Sequence, residues 1–309
     1  MKRLFPERPA YRKERRVISF PVLAAFLLLF LCRWLGDKLP LQLPPLVLTL
    51  ILEALVFLLP TLLLMLLKKQ PYRTVLRLKA PRAAHLPLLL TAFLTLFTGC
   101  LLLSILCGGT NSLGNSVTTF EDAFSSDPWL MLAAVGALAL LPAVVEELFF
   151  RGIVIAEYEK RGVIRALLLS TLLFAFIHFD LRNLPVYLFS GLLLALVLYA
   201  TDSLLATVLL HGLYNTLSLF GQRYLNALYE FTGNVQLFLF LMILIFLVSL
   251  LFFCKTCHKI YLSRDRREVG EPRRNVPRNV QLYTLLDAIC DPCIILSFGI
   301  TVAGFILLL

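Results

Sequence analysis

Two adjacent carboxylates, Glu146 and Glu147, follow seventeen mostly apolar residues, and Arg151 comes one helical turn later. A carboxylate at bilayer depth costs roughly 2.5–3.5 kcal/mol on insertion scales, so the pair needs a structural or functional reason. Glu147 and Arg151 are four residues apart and share a helical face, so they can form an ion pair. Glu146 points about 100° away from that face and has no cation on its own helix. Glu146 is therefore the candidate general base, and Glu147 with Arg151 is the candidate structural pair.

Two further polar groups lie in later apolar segments. His178 follows Phe174 by four residues, and Asn215 follows His211 by the same interval, which places the members of each pair on one helical face. Imidazole and amide groups can hold a water or donate to an oxyanion. The alternatives are a packing histidine at 178 and interhelical hydrogen bonding at 211 and 215. At about 1.5 Å per residue, Glu146, His178 and Asn215 all lie about 20 Å above the predicted cytoplasmic boundary, so these groups are expected to meet.

The elements that position these residues follow from the composition. The chain has 309 residues, of which 59% are hydrophobic and 16% are charged, and its mean hydropathy is +0.85. These values predict an all-α, polytopic membrane helix bundle. About nine runs are long enough to span a bilayer, namely 17–35, 43–67, 84–107, 129–157, 164–181, 184–200, 203–221, 235–254 and 288–309.

The Lys and Arg residues predict the orientation of the bundle. Residues 1–16 carry seven and residues 68–82 carry six, whereas residues 108–128 carry none. By the positive-inside rule the N-terminus is cytoplasmic, and the basic loop 255–287 is cytoplasmic when the short segment 184–200 also spans. The net charge of +10 is thereby assigned to topology, and no nucleic-acid partner is expected.

Three motifs occur in order on successive predicted helices: Glu-Glu-x-x-x-Arg at 146–151, Phe-x-x-x-His at 174–178 and His-x-x-x-Asn at 211–215. Together they resemble the CAAX protease and bacteriocin-processing (CPBP, or Abi) family of intramembrane endopeptidases, which includes the type II CAAX prenyl endopeptidases. The resemblance covers about residues 129–221. It implies hydrolysis of a peptide bond in a membrane-associated or lipidated protein or peptide. The expected location is the lipid bilayer of a bacterial or archaeal cell membrane.

With this resemblance the chain divides into four parts. They are a basic cytoplasmic tail at 1–16, transmembrane helices 1–3 with an outer loop at 17–128, a catalytic core of helices 4–7 at 129–221, and the last two helices with the basic loop 255–287 at 222–309. The stretch 264–280 is charged and contains two prolines, and it is expected to be mobile.

The residue types support a role for each site residue. Glu146 activates a water and His178 holds it, while His211 and Asn215 donate hydrogen bonds to the tetrahedral oxyanion. Such a donor was worth roughly 2.7–4 kcal/mol in a well-studied protease. The expected supporting residues are Glu147, Arg151 and Phe174.

A zinc site is the competing mechanism, because His178, His211 and Glu146 are a set of ligands to which water can add as a fourth. The chain has no His-Glu-x-x-His helix and asparagine is a poor zinc ligand, so the metal-free glutamate mechanism is favoured and no cofactor is predicted. A further alternative is a catalytically idle immunity or regulatory membrane protein. Such a protein is expected to lose motif residues, and none is missing here. A transporter is disfavoured because no inverted repeat is visible.

Seven cysteines include two Cys-x-x-Cys pairs, Cys254 with Cys257 and Cys290 with Cys293. Each pair is placed where a predicted helix meets the cytoplasm, and 32 residues separate the pairs. A structural zinc clasp is one hypothesis. The alternative is that these cysteines are reduced, small apolar residues at helix ends.

Three further residues of the apolar segments are expected to have structural roles. Glu53, in the second predicted span, is expected to face the bundle and bond a neighbouring helix. Pro60 and Pro142 are expected to be kinks, which membrane helices tolerate.

Overall fold

The computed structural model describes residues 8–36, 45–68, 75–108, 127–265 and 278–307, and within these ranges the regular structure is helical throughout. The all-α prediction is therefore confirmed for this part of the chain. The helices are α1 (Arg8–Gly36), α2 (45–68), α3 (Leu86–Leu106), α4 (Pro128–Tyr158), α5 (Val163–Phe176), α6 (Leu184–Thr201), α7 (Leu204–Phe220), α8 (Gln222–Thr232), α9 (Val235–Asp265), α10 (Arg278–Ile289) and α11 (Pro292–Leu307).

Several of these helices have the length and composition of membrane spans. Five qualify, and a sixth is added if α7 and α8, which bend by 67°, are counted as one span. The three shorter apolar stretches are Leu50–Leu66, Val163–Phe176 and Pro292–Leu307. The protein is thus an integral, multi-pass membrane protein. A helix overlaps each of the nine predicted runs, whereas the count of nine spans and the cytoplasmic N-terminus stay predictions.

Two predicted boundaries are wrong. The fifth segment was expected to reach residue 181, but α5 ends at Phe176 and His178 lies in the turn that follows. The predicted helices end at residue 254 and begin at residue 288, on either side of the basic loop 255–287, but α9 continues to Asp265 and α10 begins at Arg278. Of the stretch expected to be mobile, residues 266–277 lie outside the described residues.

Helix α8 was not predicted, because it is too polar to span a bilayer. Its Leu225 and Tyr229 pack against a small apolar cluster that contains Leu101 of α3 and Phe238 of α9. Its remaining residues are mostly exposed. The helix is therefore amphipathic, and its apolar side covers the ends of α3 and α9.

Contacts between turns define the two ends of the bundle. At one end Arg77, which follows α2, forms ion pairs with Glu159 at the end of α4 and Asp202 between α6 and α7. At the other end the Arg33 guanidinium donates to the His178 carbonyl (2.8 Å), and the Arg182 guanidinium donates to the carbonyl of Cys107 (3.1 Å). For these turns to meet at the two ends, consecutive helices from α3 to α6 must cross the bundle in alternating directions.

Wide π-helical turns interrupt both α2 and α4, the helices that carry glutamates with a buried Oε2 atom. In α4 they span Gly136–Leu140 and Leu148–Val154, on either side of the segment that carries the two adjacent glutamates. In α2 the turn is Ala54–Leu58. Pro142 and Pro60 each follow such a turn, which fits the missing N–H and steric demand of proline. Because π-turns rotate the following side chains and are frequent at functional sites, they bear directly on how α4 presents its carboxylates.

An aromatic stack fills the core between α2, α4 and α5. The rings of Phe57, Phe149, Phe150 and Phe174 are 5.0 to 5.8 Å apart in consecutive edge-to-face or tilted contacts. All four are buried. The stack forms a rigid apolar base against which the polar residues of α4 and α5 are held.

Candidate active site

The predicted ion pair on α4 is present. The Arg151 guanidinium donates to Oε1 of Glu147 at 2.8 Å, and neither side chain has any solvent exposure. Arg151 also donates to the Gly191 carbonyl of α6 (3.1 Å) and lies 4.2 Å from the centre of the Phe174 ring. A Cβ at position 191 would lie 3.1 Å from the Phe174 ring, so glycine allows this close approach of α6. The buried cation is therefore matched by a carboxylate, a carbonyl and a ring face.

The same carboxylate reaches a second helix. Nδ1 of His211, on α7, lies 3.0 Å from Oε1 of Glu147. The sequence paired Glu147 with Arg151 alone, so this contact was missed. When Nδ1–H donates to the carboxylate, Nε2 of a neutral His211 is an acceptor, and it donates only when the ring is doubly protonated. The expected oxyanion role of His211 therefore requires the imidazolium form.

His178 is held on three sides in the turn after α5. Its Nδ1 lies 2.6 Å from the Phe174 carbonyl, which can only accept, so Nδ1 carries the proton. The ring stacks on Tyr187 of α6 at 3.9 Å between centroids and makes an edge contact with Phe174 at 4.9 Å. Phe174 also contacts the His211 ring at 5.9 Å. The two histidines thus share a layer, as predicted, and Nε2 of His178 is left as a hydrogen-bond acceptor.

Asp180 organises the turn that carries His178. It accepts from the backbone N–H and the side-chain amide of Asn183 (3.1 and 2.8 Å) and from the Tyr187 hydroxyl (3.4 Å). Burial by itself would raise the pKa of Asp180, but these hydrogen bonds hold that pKa below its usual value. Sequence reasoning missed both Asp180 and Tyr187. The available signal was Asp-Leu-Arg-Asn before Leu184-Pro185, a turn-forming sequence followed by a helix start.

Asn215 lies one turn beyond His211 and faces α4. Its side-chain amide donates to the Ala139 carbonyl at 3.3 Å, inside the first π-helical turn. One N–H and the carbonyl oxygen of this amide are left for other partners. A Cβ at the neighbouring Gly212 would lie 2.9 Å from the Leu140 side chain, so glycine lets α7 pack closely on α4 here.

Glu146 differs from Glu147 in its surroundings. It is buried, and its Oε2 has no hydrogen-bond partner. Glu53, Glu147 and Arg151 are all close enough for electrostatic interaction with it. Glu53 faces the bundle interior as expected, but its Oε2 is also buried and bonds no neighbouring helix. Glu146 therefore has free acceptor capacity, as does Oε2 of Glu147, but only Glu147 is bonded to Arg151 and His211.

The alternative zinc set is not assembled in the described part of the chain. It contains no group of three or more His, Cys, Asp or Glu side chains placed to hold a metal ion. Nδ1 of His178 and Nδ1 of His211 are already engaged, by the Phe174 carbonyl and by Glu147.

The two cysteine pairs of the zinc clasp hypothesis lie on helices with different neighbours. Cys254 and Cys257 lie on α9, which packs on α3 and α6, whereas Cys290 and Cys293 adjoin α11, which packs on α1. Cys257 contacts the apolar cluster of α3 and α6. Spacing along the chain could not reveal that the two helices have different neighbours.

The fold and the site define a multi-pass helical membrane protein with a buried cluster of acidic residues, histidines and one arginine. Residues 128–217, from the start of α4 into α7, match the family described as Type II CAAX prenyl endopeptidase Rce1-like. The chain therefore carries a CAAX protease-type domain, and the resemblance inferred from the three motifs is confirmed. Comparisons with curated proteins and with solved structures gave no match.

Proposed function

We propose that this protein is an intramembrane endopeptidase that hydrolyses a peptide bond of a membrane-associated or lipidated protein by means of water activated by Glu146. The family match supports membrane protease activity in general. The observation that carries the assignment of the base is the contrast between the two adjacent glutamates. Glu147 is bonded through Oε1 to Arg151 and His211, whereas Glu146 takes part in neither contact, although Oε2 of each glutamate is buried without a partner.

The proposed reaction begins with a water between Glu146 and His178. Glu146 removes a proton as the water oxygen attacks the scissile carbonyl carbon, and Nε2 of His178 accepts a hydrogen bond from the same water. The carbonyl oxygen becomes an oxyanion. Glu146 then passes its proton to the departing nitrogen, the C–N bond breaks, and a carboxylic acid and an amine leave, between which the remaining water proton is exchanged in solution.

Two donors are proposed for the oxyanion. The side-chain amide of Asn215 retains one N–H after its bond to Ala139. His211 donates from Nε2 in its doubly protonated form, in which Nδ1–H still donates to the Glu147 carboxylate. The Arg151 contacts hold Glu147 in place, so this pair acts on the site through His211.

The test uses purified protein in phospholipid vesicles and an internally quenched, farnesylated peptide with a C-terminal CAAX sequence. Wild-type protein is expected to cleave it, and Glu146→Gln is expected to lower the rate by about 10²–10⁴-fold, the usual contribution of a general base. Glu157→Gln is the matched control, because Glu157 lies on the same helix and pairs with Lys160 near the bundle end. Undiminished cleavage by Glu146→Gln would reject the mechanism.

The competing interpretations give different results in the same assay. A zinc enzyme that uses His178, His211 and Glu146 would lose activity on chelation and regain it with zinc, whereas the metal-free mechanism predicts unchanged activity. A catalytically idle regulatory protein would cleave neither the farnesylated peptide nor unprenylated membrane peptides.

A further inference from the structure

Phe179, the residue directly after His178, has an unusual backbone conformation. Its φ is 50°, in the left-handed region that bulky side chains rarely adopt. Such a conformation persists only where the surrounding structure enforces it. Phe179 is also buried. Packing of the Phe179 side chain therefore holds the turn in this conformation.

One side of the Phe179 ring is formed by α1. Phe26 and Phe30 lie 6.2 Å from it between ring centroids, and the Arg33 guanidinium lies 5.8 Å from its centre. These α1 residues are four and three positions apart and so share one helical face. Arg33 also donates to the backbone carbonyl of His178 at 2.8 Å. Helix α1 thus holds both the ring of Phe179 and the main chain of His178.

The other side is formed by α11. A Cβ at Gly304 would lie 3.0 Å from Cε1 of Phe179 and closer still to Cδ1, so the ring fits only against glycine. One turn earlier Thr301 donates to the Phe176 carbonyl (3.3 Å), and Phe298 contacts the Phe176 ring at 5.1 Å. Helix α11 therefore contacts both Phe176, at the end of α5, and Phe179.

We propose that α1 and α11 form a socket for Phe179, composed of Phe26, Phe30, Arg33 and Gly304, that positions the imidazole of His178 for catalysis. Both helices lie outside the stretch that matches the protease family. Arg33 and Gly304 are positioning residues, since they act through His178. The catalytic part of the inference rests on the proposed function, in which His178 holds the attacking water. General packing alone does not account for an arginine that bonds the carbonyl of this one residue.

The first experiment adds a methyl group inside the socket and compares its effect with that of a methyl group added elsewhere on α11. Gly304→Ala is expected to displace Phe179 and to lower kcat for the farnesylated peptide by about tenfold or more with little change in KM, since small misplacement of catalytic groups is costly. Gly299→Ala is the control, because a Cβ there meets nothing within 4 Å. Equal kcat values for Gly304→Ala and wild type would overturn the proposal.

A size-compensating variant separates this coupling from a general loss of structure. Phe179→Leu replaces the ring by a smaller aliphatic side chain. Adding it to Gly304→Ala is therefore expected to restore kcat to within about threefold of the Phe179→Leu single variant, a non-additive result. Additive losses would contradict a direct fit between the two residues. If Gly304→Ala fails to fold, Arg33→Gln removes the bond to the His178 carbonyl without adding volume, and the same fall in kcat is expected.

The second experiment needs no substrate, so it stands even if the proposed function fails. The chain has only four histidines, and imidazole ¹⁵N NMR of detergent-solubilised protein can resolve them, with His178→Gln as the assignment variant. Gly304→Ala and Arg33→Gln are expected to shift the His178 signals and to leave His85 and His258 unchanged. Unmoved His178 signals in both variants would overturn the positioning role, whatever the activity of the wild type.

Discussion

His211 and Glu147 are joined by a 3.0 Å contact between Nδ1 and Oε1, which connects α7 to α4 in the interior of the bundle. The same oxygen accepts from Arg151 at 2.8 Å. Oε1 of Glu147 therefore contacts both Arg151, in its own motif, and His211, in a motif that is far away in the sequence. Glu147 is more than the structural partner of an arginine on its own helix, because it also fixes the ring of a proposed oxyanion donor.

The first prediction concerns the stability of this network. Glu147→Gln removes the charge that balances the buried Arg151 and is expected to lower the free energy of unfolding by about 3–5 kcal/mol, the usual result of breaking a buried pair. Glu146→Gln removes a carboxylate whose Oε2 has no partner and is expected to be as stable as wild type. Unfolding in mixed detergent and SDS micelles measures both variants. Equal destabilisation would contradict the division of roles between the glutamates.

The second prediction concerns the ring that stacks on His178. Tyr187→Leu removes the stacking contact at 3.9 Å and is expected to lower kcat by about tenfold, because aromatic pairs contribute about 0.5–1.5 kcal/mol beyond their area. Tyr187→Phe keeps the stack and loses only the long bond to Asp180 (3.4 Å), so kcat is expected to stay within about twofold. Steady-state cleavage of the farnesylated peptide measures both. A larger loss in the Phe variant would show that the hydroxyl, and not the stack, matters.

The third prediction concerns acid stability. Hydrogen bonds from Asn183 and Tyr187 outweigh burial and keep the pKa of Asp180 below its usual value. A depressed native pKa gives stability that is complete above the unfolded value, about 3.9, and is lost as the pH falls through the native value. Asp180→Asn is therefore expected to be less stable than wild type at neutral pH, with a difference in Tm that shrinks toward pH 3.

Asp287 of α10 is a control for the acid-stability experiment, because its pKa is shifted in the opposite direction from that of Asp180. Burial, together with the neighbouring Asp291, raises the pKa of Asp287. Its ionised form is therefore unfavourable in the folded protein, and Asp287→Asn is expected to raise Tm at neutral pH but not at pH 3. Parallel pH dependence of the two variants would contradict the assigned pKa directions.

Features set within one helix could be predicted from the sequence. The apolar runs located a helix at each expected place, and the spacing of four residues gave the Glu147–Arg151 ion pair. The end of α5 at Phe176 was missed because the apolar run continues through Ile177 and hides the turn. The angle of about 100° predicted between Glu146 and Glu147 holds for a regular helix, whereas π-helical turns flank both glutamates.

Features that depend on helix packing could not be predicted. The contact of His211 with Glu147 and the socket around Phe179 join segments 64 or more residues apart, and no local pattern specifies which helices become neighbours. The relative position of the two cysteine pairs depends on such packing, since α9 and α11 pack on different partners. The three motifs nevertheless indicated residues that lie together, since Phe174 contacts the rings of both His178 and His211.

The last prediction compares two cations that share one carboxylate at the end of the bundle. Arg77 and Lys79 both pair with Asp202, at 3.1 and 2.9 Å, but the Arg77 side chain is 10% exposed and the Lys79 side chain 61%. Arg77 also pairs with Glu159. Arg77→Met leaves two partly buried carboxylates without this cation and is expected to cost about 1–3 kcal/mol in the free energy of unfolding. Lys79→Met is expected to cost less than about 1 kcal/mol, because water already screens the exposed pair. The same unfolding titration measures both, and a larger effect at Lys79 would show that burial does not decide which of these ion pairs holds the turns together.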